Sequence, residues 1–382
     1  MLKSITAKKQ RVFGLDVVRA LAILLILCSH STILIFPESQ SSLIKIIQFF
    51  GTIGVDLFFV LSGFLIGGIL IKQIETKQTK FKNFTQFWMR RWLRTLPNYY
   101  LVLLINIGLL FVFNTEVPKQ LYKYFFFLQN FSNKQADFFT ESWSLTIEEF
   151  AYLIGPILLF ILGLIFKKSG KWLFLAVILL VISSAIFHRF IFDVSITNSP
   201  HQFSWSKSLR KVLVYRLDSI YYGFLAAFIA FYYAMAWKRY KWLSFGLGVV
   251  LFVGVHVYIF INSLNPDHFS TFFNVYYLSI VSISILLTFP MFSNWRSTLR
   301  FQKVVTNISL WSYSIYLVNY SIILLSIKHY VVISDLSALS KLGVLGLYWS
   351  ATFVVSYLLF SFFEYPIIKF RDSARFKGWF AN

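Results

Sequence analysis

The chain has 382 residues, of which 58% are hydrophobic and only 13% charged. A water-soluble protein of this length needs more polar side chains to cover its surface, and the same apolar wealth excludes disorder and collagen-like repeats. The formal charge of +21 admits either a nucleic-acid binder or a membrane protein with basic inner loops, and the distribution of the cations decides between them.

A helix that crosses a bilayer needs about 20 mostly apolar residues. Ten such segments follow one another, over 15–35, 51–71, 97–114, 144–166, 172–192, 212–234, 242–262, 272–292, 308–327 and 342–363. The expected fold is an all-α polytopic membrane protein, with 1–382 as a single integral membrane domain. The first segment is no cleavable signal peptide, because it carries Asp16, Arg19 and His30 and no small-residue cleavage site follows. With the N-terminus in the cytoplasm, the inner segments hold 24 of the 36 Lys and Arg, among them Lys3, Lys8, Lys9, Arg11, Lys167, Lys168 and Arg300, and the outer segments hold 9. That asymmetry puts both termini inside and accounts for the basicity without nucleic acid. Segment 72–96 reads as a basic amphipathic stretch on the inner surface, and the YFFFLQNF run within 115–143 as an interfacial or re-entrant piece of the longest outer loop. The single cysteine, Cys28, reads as a small apolar filler.

Charges inside hydrocarbon cost about 2.5–3.5 kcal/mol each, so each needs a partner, a wet cavity or a function. Arg19 and His30 are eleven residues apart, close to three helical turns, so they face one side about 16 Å apart along the axis. Asp16 is spaced to pair with Arg19. Such a stripe suits a long, thin ligand with an anionic head and a reactive far end. By the topology, Asp56, Glu148 and Asp218 lie near the level of His30, where a carboxylate would orient the imidazole as a base toward a hydroxyl. Arg216 and Asp218 also read as a purely structural pair, and Glu149 as facing interfacial water. His188, His201, His268 and His329 read as solvated at the outer edges, and His256 is mid-span without an assigned role. No Gly-rich phosphate loop, metal-ligand spacing or nucleophilic serine elbow appears.

In their order, GLDVVRALAILLILCSH (14–30), GVDLFFVLSGFLI (54–66), RRWLRTLPNYY (90–100), ESWSLTIEEFAYLIGP (141–156), YRLDSIYYGFLAA (215–227), SLWSYSIYLVNYSIILL (309–325) and FFEYPI (362–367) resemble the motifs of the acyltransferase-3 family of integral membrane O-acyltransferases. The resemblance implies transfer of an acyl group, commonly acetyl, from cytoplasmic acyl-CoA to a hydroxyl of an envelope or exported glycan such as a polysaccharide or lipopolysaccharide. His30 matches the family's catalytic histidine, Arg19 its essential arginine, Arg91 and Arg94 its Arg-x-x-Arg pair toward the donor, and Glu148 the acid of the fourth-span block. Where the family often has a histidine, this chain has Asn319, so a proton relay through that position is not available here. Many relatives carry a fused esterase-like domain, and this chain is expected to be the stand-alone form.

The expected enzyme is therefore a membrane O-acetyltransferase of the cell inner membrane. His30, with Glu148 or Asp56, forms its catalytic group. Arg19, Arg91 and Arg94 grip acyl-CoA as co-substrate, and no cofactor is permanently bound. Trp143, Arg216, Asp218, Tyr316 and Asn319 form an acceptor-side or structural polar cluster. Its partners are the lipid bilayer, acyl-CoA and a glycan or lipid-linked glycan, with no nucleic acid and no metal. A glycan or lipid-linked-sugar transporter using the same charged cavity is the alternative, and a structural partner in an envelope-assembly complex is a third reading. Inverted repeats would favour the transporter, and none is visible.

Overall fold

The computed structural model describes residues 11–166, 170–198, 204–296 and 301–378. Lys3, Lys8, Lys9, Lys167, Lys168, Arg300 and His201 lie outside the described residues. Among those described, ten helices are long and apolar enough to cross a membrane: α1 (Phe13–Ile35), α2 (Ser42–Glu75), α3 (Phe81–Val112), α4 (Ser142–Ile165), α5 (Gly170–Ile196), α6 (Leu213–Tyr232), α7 (Lys241–Ile261), α8 (Phe272–Asn294), α9 (Gln302–Tyr330) and α10 (Ala338–Arg371). Each of the ten sequence segments falls on one of them. Helices are the natural solution, because every backbone group is then satisfied within its own segment and nothing polar faces lipid.

The connections segregate to two ends of the bundle. At one end Arg90 pairs with Asp372, Tyr232 donates to Glu75, and the Trp237 indole donates to Ser293. At the other, Gln48 donates to the carbonyl of Phe36, Lys207 pairs with Asp137, and Phe113 stacks on His329. These are the inner and outer ends, respectively, of the topology read from the sequence.

The centre is built on α1, α2 and α6, and α2 with α6 makes the most extensive helix contact. The sequence permits it through small residues four apart. A Cβ on Gly63 would collide with the Ile220 carbonyl, one on Gly223 with the Val60 carbonyl, and one on Gly67 would lie 3.0 Å from the Ala227 methyl. Two helix backbones can approach this closely only where no side chain intervenes. By contrast Gly248 is the only fully buried residue of α7.

One element differs from expectation. The amphipathic 72–96 stretch is no separate surface segment: α2 runs to Glu75 and α3 starts at Phe81 and continues past Pro97. Phe84, Phe87 and Trp88 are buried, and the Trp88 indole donates to the Tyr152 carbonyl at 2.9 Å. Aromatic content makes this helix pack into the bundle rather than lie on lipid. The outer loop folds onto the bundle end, where Asn130 donates to the carbonyls of Trp143 (3.0 Å) and Lys211 (2.6 Å) and fastens the loop to α4 and α6.

Three of the helices contain a wide π turn, at Phe272–Tyr277, Asn319–Leu324 and Phe360–Glu364. Such turns re-aim side chains and are frequent at functional sites. The second starts at Asn319 and the third ends at Glu364, both buried polar residues.

Candidate active site

Two cavities line the α1 stripe. The one toward the inner end, about 90 Å³, is lined by Arg19, Arg91, Arg94, Glu148, Ser62 and Tyr313 among others. Arg91 and Arg94 are one turn apart on α3, so both reach it from one face. Asp16 is held chiefly by Arg11, at 2.5 and 3.0 Å, and stands 3.8 Å from Arg19. Arg19 also donates to Ser309 at 3.3 Å, so its guanidinium is only partly committed. Arg91 lies over the Tyr152 ring at 4.8 Å, and its buried Nε has no partner. Arg94 forms no ion pair among the described residues. The cavity thus gathers three guanidiniums against one carboxylate, an arrangement that favours a multiply charged anion.

The second cavity, about 180 Å³, opens toward the outer end and is lined by His30, Glu141, Trp143, Arg210, Lys211 and Tyr320 among others. His30 Nδ1 lies 2.5 Å from Asn319 Oδ1. The Asn319 amide nitrogen donates to the carbonyls of Ile315 (2.8 Å) and Tyr316 (2.9 Å), so its oxygen is the atom turned to the histidine. An amide oxygen only accepts, which means His30 Nδ1 carries the proton and Nε2 keeps its lone pair. Tyr348 donates to the same oxygen at 3.4 Å. His30 is therefore oriented and tautomer-locked, with Nε2 available as a base or nucleophile.

Glu141 sits just before α4, with Oε1 accepting from the Ser321 backbone (3.2 Å) and hydroxyl (2.5 Å). Its Oε2 is buried without a partner. Burial pushes this carboxyl up to about 7, against the pull of the Ser321 hydrogen bonds and Lys211. Burial and the neighbouring Arg210 bring Lys211 down to about 8, and burial likewise lowers Arg210 to about 10.

Val55 and Tyr316 line both cavities and stand at the boundary between them. The Tyr316 hydroxyl donates to the Glu141 carbonyl at 3.0 Å and lies 2.6 Å from Ser144 Oγ. Arg19 and His30 are thus on one stripe but in adjoining compartments, with a valine and a hydrogen-bonded tyrosine between.

Several expected neighbours of His30 are elsewhere. Asp56 is ion-paired with Arg216 in a fully buried contact between α2 and α6. Asp218 pairs not with Arg216 but with Arg189 of α5, at 2.9 Å, and Ser279 joins them. A buried guanidinium in the hydrocarbon layer must take a carboxylate, and each arginine takes the one on a neighbouring helix. Glu148 belongs to the inner cavity, accepting from Ser62 (3.2 Å) and Tyr152 (3.0 Å), and neither it nor Asp56 hydrogen-bonds His30. Glu149 does not face water: it is buried and accepts from Thr95 at 2.7 Å. Trp143 lies under Arg210 (5.1 Å) and Lys211 (6.0 Å) at the wall of the His30 cavity. His256 is satisfied by the Phe252 carbonyl and the Tyr277 hydroxyl. Glu364 accepts from Asn98 and Ser314 and ties α3, α9 and α10 together.

Sequence reasoning passed over Glu141, Arg210 and Lys211. Glu141 had a signal: it precedes Glu148 by seven residues, two helical turns, and so sits on the same stripe nearer the outer end. Arg210 and Lys211 had none, since they read as ordinary outer-loop cations.

Comparison with known proteins gives the family of the chain. A family model described as an acyltransferase domain, that of the acyltransferase-3 family, matches residues 12–363. The peptidoglycan O-acetyltransferase OatA of Listeria monocytogenes is 26% identical over 99% of this chain and 59% of its own length. A Staphylococcus aureus protein provisionally named an O-acetyltransferase is 26% identical over 85% of this chain and 53% of its own length. A Bacillus subtilis protein provisionally named a peptidoglycan O-acetyltransferase, YrhL, is 31% identical over 47% of this chain and 28% of its own length. The chain thus spans less than two thirds of the length of these relatives. No solved structure matches it significantly. With ten membrane-length helices and a family match over nearly its whole length, the chain belongs to the acyltransferase-3 family of multi-pass membrane acyltransferases.

Proposed function

We propose that this protein is an O-acetyltransferase that takes an acyl group, in the first instance acetyl, from cytoplasmic acyl-CoA and passes it to a hydroxyl of an envelope glycan. The names of its relatives support a glycan acceptor, with peptidoglycan as the leading class. The excess of Lys and Arg at the Arg19 end supports a cytoplasmic-membrane protein with both termini inside. The observation that carries the reading is the His30–Asn319 contact, which leaves Nε2 unprotonated in one cavity while the adjoining cavity presents three guanidiniums.

In this reading Arg19, Arg91 and Arg94 bind the donor's phosphates, with forked guanidiniums suited to paired oxygens. The pantetheine arm runs along the α1 stripe past Val55 and Tyr316. The acceptor hydroxyl enters from the outer cavity, and His30 Nε2 removes its proton as the oxygen attacks the thioester carbonyl. The tetrahedral adduct then expels the thiolate, which takes the proton back from the imidazolium. Attack by Nε2 itself, giving an acyl-imidazole that the acceptor then cleaves, uses the same atom. Asp56 serves the fold rather than the reaction, and Glu148 balances charge among the donor-side arginines.

The test is transfer from radiolabelled acetyl-CoA to glycan oligosaccharides by the purified protein in nanodiscs. His30→Ala is expected to lower turnover at least about 100-fold, the span of general-base catalysis, with unchanged insertion and melting. Asn319→Leu should lower kcat about tenfold or more, because the tautomer is no longer fixed, with little change in the Km for acetyl-CoA. Wild-type turnover in His30→Ala would end the histidine mechanism, and glycan movement without any acyl transfer by the wild type would favour the transporter.

A further inference from the structure

Of the basic residues at the outer mouth, Lys207 is neutralised by Asp137, which it meets at 2.9 Å through both oxygens. Arg210 and Lys211 are not neutralised in this way. Neither has a carboxylate within ion-pairing distance among the described residues. Arg210 is buried, spends Nε and one Nη on the Ser206 hydroxyl at 3.2 and 2.8 Å, and lies across the Trp143 face. Lys211 makes no side-chain hydrogen bond among the described residues, and its ammonium lies near the same ring. Both line the cavity that contains His30, where the one lining carboxylate, Glu141, gives its Oε1 to Ser321 and forms no ion pair with either cation. Two buried or half-buried cations without a counter-charge are costly to fold, and the cost is recovered only when something anionic arrives. No part of the donor is needed here, since the donor's phosphates have the three arginines of the other cavity.

We propose that Arg210 and Lys211 form an acceptor subsite for an anionic group, so that the acceptor is an acidic glycan, bearing a carboxylate or a phosphate ester close to the hydroxyl that is acylated. This rests on the acyl-transfer reading for its purpose, although binding itself does not require it. The geometry gives each cation a task. Arg210, fixed by Ser206 and Trp143, supplies a rigid fork, and Lys211 is the movable point charge that closes on the anion. Tyr320, whose ring centroid is 4.9 Å from that of His30, supplies an apolar wall against which a sugar ring can lie. The anion thereby sets which hydroxyl faces Nε2.

The experiment uses the full chain in nanodiscs at low ionic strength and three probes: an oligosaccharide containing a uronic acid, the same oligosaccharide with the carboxyl reduced to the alcohol, and the corresponding sugar phosphate. Binding is read by calorimetry and acyl transfer by mass increment. The wild type is expected to bind at least one acidic probe ten- to a hundredfold more tightly than the neutral one, the range of a charge-assisted hydrogen bond. Whichever of carboxylate and phosphate binds more tightly identifies the source of the anion. The preference should collapse in Lys211→Gln and Arg210→Gln and return in Lys211→Arg. Equal wild-type affinity for acidic and neutral probes overturns the subsite, and because that arm needs no variant, misfolding cannot blur it. If the wild type prefers the acid but acylates none of the probes, the subsite stands and the acyl-transfer reading fails. If it acylates and binds acid and alcohol alike, the transfer reading stands and the subsite fails.

Discussion

In the proposed mechanism the chemistry rests on a single contact, that of His30 with Asn319. Histidine at this position of α1 could present either nitrogen, and what selects Nε2 is an amide 289 residues away in the chain whose own nitrogen is tied to two carbonyls. Glu141, unsingled in the sequence, is the other residue with a measurable consequence. Burial raises its carboxyl from 4.5 to about 7, so between those values the folded protein binds a proton that the unfolded chain has released. Stability contributed by this group is full below about 4.5 and is lost as pH rises through about 7. The amount is about 3 kcal/mol, from the width of the window at about 1.4 kcal/mol per unit. Melting curves of wild type and Glu141→Gln should therefore diverge between pH 5 and pH 8, with the wild type alone losing stability on the alkaline side. A difference between the two proteins that does not change with pH would contradict the assignment.

At the scale of helices, the α2–α6 crossing decides where the arginines and acids meet. Gly63 and Gly67 on one helix face Gly223 and Ala227 on the other, and the resulting approach brings Asp56 against Arg216. The two glycines on α2 are not the whole of that helix's glycine content, and a neighbour provides the control. Gly68 has open space around its would-be Cβ, so Gly68→Ala should be neutral or gain up to about 1 kcal/mol from helix propensity. Gly63→Ala must push against the Ile220 carbonyl and should cost about 1–3 kcal/mol or more. Thermal shift in detergent, with retention of a monodisperse elution peak, distinguishes them. Equal melting of the two variants would show that the close crossing does not hold the bundle.

For the molecule as a whole, the proposed transfer requires the two cavities to communicate at Val55 and Tyr316, which line both. In that proposal a donor held at the arginines reaches His30 by passing that boundary. Val55→Phe should therefore reduce acyl transfer to glycan by about tenfold or more, as expected when reacting groups are displaced by an ångström or so, while CoA still binds at the arginine cavity. Undiminished transfer in a well-folded Val55→Phe protein would mean that the substrates meet by another route.

What the sequence determined was everything that depends on local spacing. Ten runs of apolar residues gave ten helices, because only a helix satisfies its own backbone in lipid. The eleven residues between Arg19 and His30 put both on one stripe, because helical pitch is fixed. The ordered motifs resembled a family that the family match then showed. What only the tertiary structure decided was which charge answers which. Asp56, Glu148 and Asp218 looked interchangeable at one depth, yet Asp56 pairs with Arg216, Asp218 pairs with Arg189, and Glu148 lines the cavity of the three arginines. Rotation of each helix about its axis and the approach distance between neighbours select these partners, and both are set by packing against helices distant in sequence. For the same reason Arg210 and Lys211, loop cations by sequence, are found beside the histidine only when the outer loop folds onto α4 and α6.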